Sequence, residues 1–246
     1  MNTFLQQLLV VSLLSTSHLT IASNTANNNL QVSLTEQNKL VSTDCHLDGI
    51  KEQVKCGYLT VPENYSLKDS AQISINFAVL PAIDESNNNT PLMFLAGGPG
   101  QAAVELASGL RMAFSEIRKT RDIILVDQRG TGMSHALECK EISVDQNVYQ
   151  IIPEDFSEQE IKDCIAEFTG DLSQYNSENA IRDFDGVREA LGHEKINIYG
   201  GSYGTRAALV YMRMFPESLR SVVLDSVGPI EVPIGLFSQS SAQSFK

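Results

Sequence analysis

A serine set between spaced glycines is the feature that most constrains how this 246-residue chain can fold. Ser202 stands between Gly200 and Gly204, with an apolar run before it at 195–199 and a helix-like run after it at 205–214. A strand that turns sharply into a helix strains the central residue. It also crowds the positions two before and two after it, where a Cβ does not fit easily. The pattern therefore predicts a tight strand-to-helix turn that lifts the Ser202 hydroxyl clear of a sheet.

Such a turn gives Ser202 the position of a nucleophile for acyl transfer. The following helix would place the positive end of its dipole at the serine. The N–H of Tyr203 would then point to where the oxyanion of a tetrahedral intermediate forms. An ordinary glycine-rich turn with an incidental serine is the competing interpretation. The flanking strand and helix favour the nucleophile.

The rest of the chain alternates apolar strands with amphipathic helices. Strands are predicted at 57–61, 72–80, 91–96, 122–126, 195–199 and 221–224, and helices at 101–119, 177–191 and 205–214. A capping box at 157–160 predicts the start of one more helix. This alternation predicts an α/β fold with a mostly parallel sheet and helices on both faces. Ligands bind at the carboxyl ends of the strands in such sheets. Segments 97–100 and 127–134 and Ser202 all follow strand ends.

The N-terminus predicts export. No charged side chain occurs before Glu36, and an apolar run at 8–14 is followed by small residues near 20–22. Residues 1–22 are therefore predicted to be a signal peptide. The apolar run is too short to be a stable membrane anchor, because a spanning helix needs about 20 residues. The polar stretch at 23–44 is predicted to be a flexible lead-in, and the protein is expected to be secreted or periplasmic.

Four cysteines fit an exported protein, and they allow three disulfide pairings. We predict Cys45–Cys56 and Cys139–Cys164, because each pair brackets a loop outside the predicted sheet. The spacings lack the close cysteine pairs of zinc sites, so neither a metal nor a cofactor is expected. The net charge of −12 leaves no basic patch for phosphates, which argues against a nucleic-acid partner. Nothing in the sequence indicates an oligomeric state.

Three motifs in this order resemble the α/β-hydrolase serine peptidases, in particular the prolyl aminopeptidases and the secreted tripeptidyl aminopeptidases. They are Ala-Gly-Gly-Pro-Gly at 96–100, Asp-Gln-Arg-Gly-Thr-Gly-Met-Ser at 127–134 and Gly-Gly-Ser-Tyr-Gly-Thr at 200–205. The stretch at 56–65 is similar to the opening of the secreted members. The resemblance covers about 45–230, which would be the N-terminal part of the hydrolase domain, with a cap region beginning at 231–246.

The resemblance implies roles for particular residues. Ser202 matches the nucleophile, Tyr203 the first oxyanion donor, and Gly98 the second donor, with Gly97 as the alternative. Ala96 departs from the family, which commonly has histidine there as a loop-orienting residue. Asp127 and Arg129 are expected to brace loops at the rim of the site. The implied substrate is a peptide or a small ester.

The catalytic base is not identified by the sequence. In this fold the triad order is Ser, then Asp or Glu, then His, yet the only histidines are His18, His46, His135 and His193, which all precede Ser202. Asp225 is interpreted as structural. We therefore expect a hydrolase chain truncated before the cap and the C-terminal strands. An exported aminopeptidase is favoured. An esterase or lipase of the same fold and an inactive fragment or binding module remain the alternatives.

Overall fold

The computed structural model describes residues 39–87, 89–138 and 158–233. All of them belong to the larger of two compact units, Gln37–Lys246. The smaller unit, Met1–Glu36, lies outside the described residues, and so does the predicted signal peptide at 1–22. Among the described helices, none is long and apolar enough to cross a bilayer.

The described residues form seven strands and four α-helices. The strands are β1 (Leu40–Cys45), β2 (Val54–Pro62), β3 (Gln72–Leu80), β4 (Asn89–Leu95), β5 (Arg121–Val126), β6 (Ile196–Gly201) and β7 (Leu219–Asp225). The helices are α1 (Ala107–Ala113), α2 (Glu158–Glu167), α3 (Ser177–Ala190) and α4 (Tyr203–Met214). Each of the six predicted strands is found, with ends shifted by at most three residues.

The strands make one mixed sheet in the order β1-β2-β3-β5-β4-β6-β7. The first three strands form an antiparallel meander, and β3 also pairs antiparallel with β5. β4 pairs parallel with both β5 and β6, and β6 pairs parallel with β7. The chain therefore moves outward in one direction from β4 to β5 and in the other from β6 to β7. This reversal places a crevice between the carboxyl ends of β4 and β6, the usual ligand position in open α/β sheets.

Two apolar clusters cover the two faces of the sheet, as the predicted architecture requires. On one face, Ile181 and Phe184 of α3 and Tyr211 of α4 pack with strand residues such as Ile75 and Ile198. The alternating residues of β3 point to that same face, as predicted: Ile73, Ile75, Phe77 and Val79. The second cluster joins Ala107 and Phe114, at the two ends of α1, to strand residues such as Leu92 and Leu125.

The start of the sheet differs from the sequence prediction. The expected flexible lead-in at 23–44 ends in a strand, because Leu40–Cys45 pairs along its whole length with β2. Its side chains are half-buried or exposed, so the apolar alternation that announces a strand is missing. Pairing with β2 stabilises this strand instead. The Cys45–Cys56 disulfide also links the two strands, with the Cα atoms 5.8 Å apart.

The helix predicted at 101–119 is broken into three parts. A 3₁₀ turn at Val104–Leu106 leads into α1, and a second 3₁₀ turn occupies Ile117–Lys119. The start is late because the N–H of Val104 donates to the Asp127 carboxylate, and the residues before it belong to a glycine loop. The break follows from Phe114, which is buried in the core at φ −100°, ψ 22°, outside helical geometry.

Two further predictions fall partly outside the described residues. Helix α2 begins at Glu158, while Ser157 of the capping box lies outside. Cys164 takes part in a disulfide, and Cys139, its predicted partner, lies outside the described residues. The pairing Cys139–Cys164 thus stays a prediction.

Candidate active site

The turn between β6 and α4 has the strained geometry that the glycine spacing predicts. Ser202 stands alone between the last residue of β6 and the first residue of α4, with φ 52° and ψ −117°. A non-glycine residue at positive φ costs about 1–3 kcal/mol and persists only when its surroundings hold it. Ser202 is exposed, so the turn presents its side chain to solvent at the N-terminus of α4.

The two spaced glycines are required because backbone atoms occupy the positions of their missing side chains. A Cβ on Gly200 would lie 2.5 Å from the carbonyl oxygen of Gly204. A Cβ on Gly204 would lie 2.0 Å from the carbonyl oxygen of Leu95, the last residue of β4. Neither approach is possible for a real side chain. The motif therefore reflects the close packing of the turn against its own helix and the neighbouring strand.

The loop after β4 lies directly against the serine. A Cβ on Gly97 would come within 3.3 Å of the Ser202 Cβ, and Gly98 takes φ +105° in the same loop. A cleft of about 260 Å³ opens here, lined by Gly98, Pro99, Ser202, Tyr203, Arg206, Ser226 and Gly228. The structure thus brings Ser202 together with the two residues expected to donate to the oxyanion. Those donor roles stay predictions.

Two residues of the 127–134 loop, Asp127 and Arg129, brace the surroundings of this cleft. The buried Asp127 carboxylate accepts from the N–H of Val104 at 2.8 Å and from Asn76 Nδ2 at 2.8 Å. It thereby joins the 3₁₀ turn at Val104–Leu106 to β3. Arg129 is also buried, and its guanidinium binds both carboxylate oxygens of Asp183 on α3, at 2.7 and 2.8 Å. Neither residue lines the cleft, which agrees with the expected bracing role.

Asp225 supports the strand-to-helix turn at 200–204, here called the elbow, through its backbone. Its carbonyl oxygen accepts from the N–H of Ser202 at 2.9 Å, at the carboxyl end of β7. Its side chain is engaged elsewhere, because Tyr199 Oη donates to Oδ2 at 2.5 Å. That hydrogen bond to the carboxylate raises the pKa of Tyr199. The arrangement fits the structural interpretation of Asp225.

None of the described histidines is a lining residue of the cleft. His46 is exposed beside the disulfide. His193 shares a groove with Thr90 and Pro91 at the opposite, amino edge of the sheet, and burial lowers its pKa. His135 takes φ 56° and faces the ring of Tyr175, with the centroids 6.1 Å apart. In the ranges that the structure describes, no histidine lines the Ser202 cleft, and His18 falls outside those ranges.

The sequence does not predict the contacts that Thr205 and Arg206 make around the turn. The hydroxyl of Thr205 donates to the Ser202 carbonyl at 2.6 Å and accepts from the N–H of Gly228 at 2.8 Å. Arg206 donates to the carbonyl oxygens of Pro229, Ile230 and Val232. The threonine after the last motif glycine was the one available signal. Its partners are backbone groups that no side-chain pattern reveals.

Comparison with known proteins agrees with this fold. A family model described as alpha/beta hydrolase fold matches residues 90–244, more than half of the chain. The chain belongs to the alpha/beta hydrolase fold family. Its predicted fold class is thereby confirmed.

Several relatives are peptidases by name. The chain is 29% identical over 206 residues to the tripeptidyl aminopeptidase of Streptomyces lividans, covering 75% of this chain and 37% of that protein. It is 29% identical over 195 residues to the serine protease Hip1 of Mycobacterium tuberculosis H37Rv, covering 73% and 37%. The proline iminopeptidase of Neisseria gonorrhoeae is 28% identical over 180 residues, covering 72% and 42%. The resemblance to this peptidase group is confirmed, and the chain spans well under half the length of these relatives.

Proposed function

We propose that the protein carrying this chain is an exported serine hydrolase that removes residues from peptide N-termini, with Ser202 as nucleophile. The observation that carries the proposal is the position of Ser202. It sits at positive φ at the N-terminus of α4, between the carboxyl ends of β4 and β6, with the Gly98 loop against it. The names of two relatives, tripeptidyl aminopeptidase and proline iminopeptidase, support the substrate class.

The chemistry proceeds through an acyl-enzyme. The Ser202 Oγ attacks the carbonyl carbon of the scissile peptide bond, and a base removes the hydroxyl proton. The N–H groups of Tyr203 and Gly98 stabilise the oxyanion that forms. The proton then passes to the leaving amine as the C–N bond breaks. The removed N-terminal residues now form an ester with Ser202. Water attacks this ester, releases those residues with a free carboxylate and restores the serine hydroxyl.

The base belongs to sequence outside residues 1–246 in this proposal. His46 and His193 do not line the cleft, and His135 faces Tyr175. A serine hydroxyl needs a base within about 3 Å to be an effective nucleophile. A histidine and its orienting carboxylate are therefore proposed to be contributed by further sequence of the same gene product.

Export is proposed on two grounds. The sequence before Glu36 has the pattern of a signal peptide, and the chain carries the Cys45–Cys56 disulfide. Disulfides persist in oxidising compartments and are rare in the cytosol. Fractionation of cells producing the protein tests this. Recovery in the medium or periplasm, beginning near residue 23, is expected, and recovery only in the cytosol would contradict it.

A substrate panel tests the proposed activity. The whole gene product is incubated with aminoacyl and tripeptidyl nitroanilides, the same compounds with acetylated N-termini, and acyl nitrophenyl esters. We expect turnover of the free-amine substrates, loss on acetylation, and loss in Ser202→Ala. Ser173→Ala, which changes an exposed serine bonded to Asp171, serves as control and should retain activity. Turnover of esters alone would favour the esterase interpretation, and no turnover of any substrate would favour a binding module.

A further inference from the structure

Ser202 holds a backbone conformation that its own residue type disfavours, so other groups must stabilise it. Its φ of 52° and ψ of −117° lie outside the regions that residues with side chains commonly adopt. Strain of this kind persists only where neighbouring contacts fix the conformation. The groups bound to the peptide units on either side of Ser202 are therefore the ones that set the direction of its hydroxyl.

Both backbone polar groups of Ser202 are bound. Its N–H donates to the carbonyl oxygen of Asp225 at 2.9 Å. Its carbonyl oxygen accepts twice from Thr205, from the N–H at 3.0 Å and from the hydroxyl at 2.6 Å. A threonine hydroxyl has one proton and two lone pairs, so this donation leaves it able to accept.

The Thr205 hydroxyl accepts from the N–H of Gly228 at 2.8 Å. Thr205 is completely buried, so water does not compete for either bond. The segment bound in this way continues from Asp225, the partner of the Ser202 N–H. It also borders the cleft, since Ser226 and Gly228 line it. One hydroxyl thus connects the serine's peptide unit to the segment that contributes Ser226 and Gly228 to the lining of the cleft.

We propose that Thr205 is a positioning residue that holds the strained Ser202 against the segment 225–228 and so fixes its hydroxyl for attack. The proposal rests on the proposed function of Ser202 as nucleophile. A helical threonine that merely bonds a carbonyl one turn back would need only the Ser202 contact. The second contact, to Gly228, means that Thr205 also joins the Ser202 turn to the segment 225–228.

Thr131 offers a matched control for the local part of this arrangement. It is also buried, and its hydroxyl donates to the carbonyl of Gln128, three residues earlier, at 2.8 Å. Thr131→Val therefore removes the same type of bond outside the elbow. Thr205→Val removes the hydroxyl at nearly constant volume and leaves the N–H of Gly228 buried without its acceptor. Thr205→Ser keeps the hydroxyl.

The first measurement is the second-order rate at which a fluorophosphonate labels Ser202 in the whole gene product. We expect the labelling rate to fall about tenfold or more in Thr205→Val. The buried N–H of Gly228 is left unpaired, and the strained turn loses the hydroxyl that bonds it to the segment 225–228. Thr205→Ser and Thr131→Val should stay within about twofold of wild type. Labelling of folded Thr205→Val at the wild-type rate would overturn the proposal, even if its stability fell.

The second measurement is amide hydrogen exchange, which needs neither activity nor a folded variant. In the wild type, the N–H of Gly228 should exchange at least about tenfold more slowly than the N–H groups of its neighbours in 226–231, because only it is bound to the buried hydroxyl. Exchange of Gly228 as fast as its neighbours would overturn the proposal. Absence of Ser202 labelling in the wild type would instead contradict the proposed function. The exchange rate of the Gly228 N–H would then decide whether its hydrogen bond to Thr205 exists.

Discussion

Arg129 grips Asp183 with two parallel hydrogen bonds, and both side chains are completely inaccessible to solvent. Tyr65 donates to the same carboxylate at 2.7 Å, and Arg129 also donates to the carbonyl oxygen of Glu63 at 2.7 Å. The pair joins the end of β2, the 127–134 loop and α3. Removing one member of this buried pair would leave the other charge without a partner. This lowers the free energy of unfolding, because water cannot solvate the remaining charge.

We expect Arg129→Leu to lower the free energy of unfolding by about 3–5 kcal/mol, because it leaves the Asp183 carboxylate buried and unpaired. Urea unfolding followed by far-ultraviolet circular dichroism measures this. The double variant Arg129→Leu, Asp183→Leu should be less destabilised than Arg129→Leu alone, since no buried charge remains. A single variant as stable as wild type would contradict the bracing role.

The cluster of Glu52 with Arg111 and Arg118 is expected to make the free energy of unfolding depend on pH in the acid range. The hydrogen bond from Arg111, aided by Arg118, holds the pKa of Glu52 at about 2, below its ordinary 4.5. A lowered folded-state pKa contributes stability above the unfolded value and loses it as pH falls through the folded value. Glu52→Gln should therefore be less stable than wild type at pH 7, and the difference should shrink between about pH 4.5 and 2.

Glu116→Gln is the control for that series. Glu116 is exposed and pairs with Lys119, a surface pair that contributes little. The unfolding midpoint of Glu116→Gln should equal that of the wild type at every pH. A Glu52→Gln difference that stayed constant down to pH 2 would show that the cluster does not act through the charge of Glu52.

Two glycine-to-alanine changes are expected to affect stability differently, because a Cβ is crowded at Gly204 and unobstructed at Gly109. Gly204→Ala should prevent accumulation of folded protein, because the new Cβ would lie 2.0 Å from the Leu95 carbonyl oxygen. Gly109→Ala, inside α1 with nothing within 4 Å of its added Cβ, should be neutral or stabilise by about 0.5–1 kcal/mol. The yield of folded protein checks the first change, and thermal unfolding of purified protein checks the second. A folded, stable Gly204→Ala protein would contradict the geometry of the turn.

The strands of the sheet and the turn around Ser202 could be predicted from the sequence, because both produce local sequence patterns. The buried run before Gly97 and the alternation in β3 announce strands, and the glycine spacing around Ser202 announces the elbow. These signals arise from burial and from the absence of a Cβ, which are properties of the residues themselves.

The remaining features depend on partners distant in sequence. Strand β1 lacks an apolar face and exists through pairing with β2. Helix α1 starts late because Asp127 takes the N–H of Val104. The contacts of Thr205 and Asp225 with the elbow are made to backbone groups. None of these leaves a periodicity or a motif of its own.

The 246-residue chain by itself is expected to show no appreciable peptidase turnover, because no described histidine lines the Ser202 cleft. Weak residual catalysis from the oxyanion donors is the most that remains. Purified 1–246 is assayed on aminoacyl and ester chromogenic substrates beside its Ser202→Ala and His135→Ala variants. Robust turnover lost in both variants would contradict this expectation and identify His135 as the base.

Covalent labelling of the whole gene product by a fluorophosphonate, mapped by peptide mass spectrometry, tests the nucleophile most directly. Ser202 sits at the exposed, strained turn beside the Gly98 loop. Ser134 is buried and bonded to the Asp127 carbonyl, and Ser226 lacks the glycine spacing. We expect a single adduct on Ser202 that disappears in Ser202→Ala. An adduct on another serine, or labelling that persists in Ser202→Ala, would contradict it.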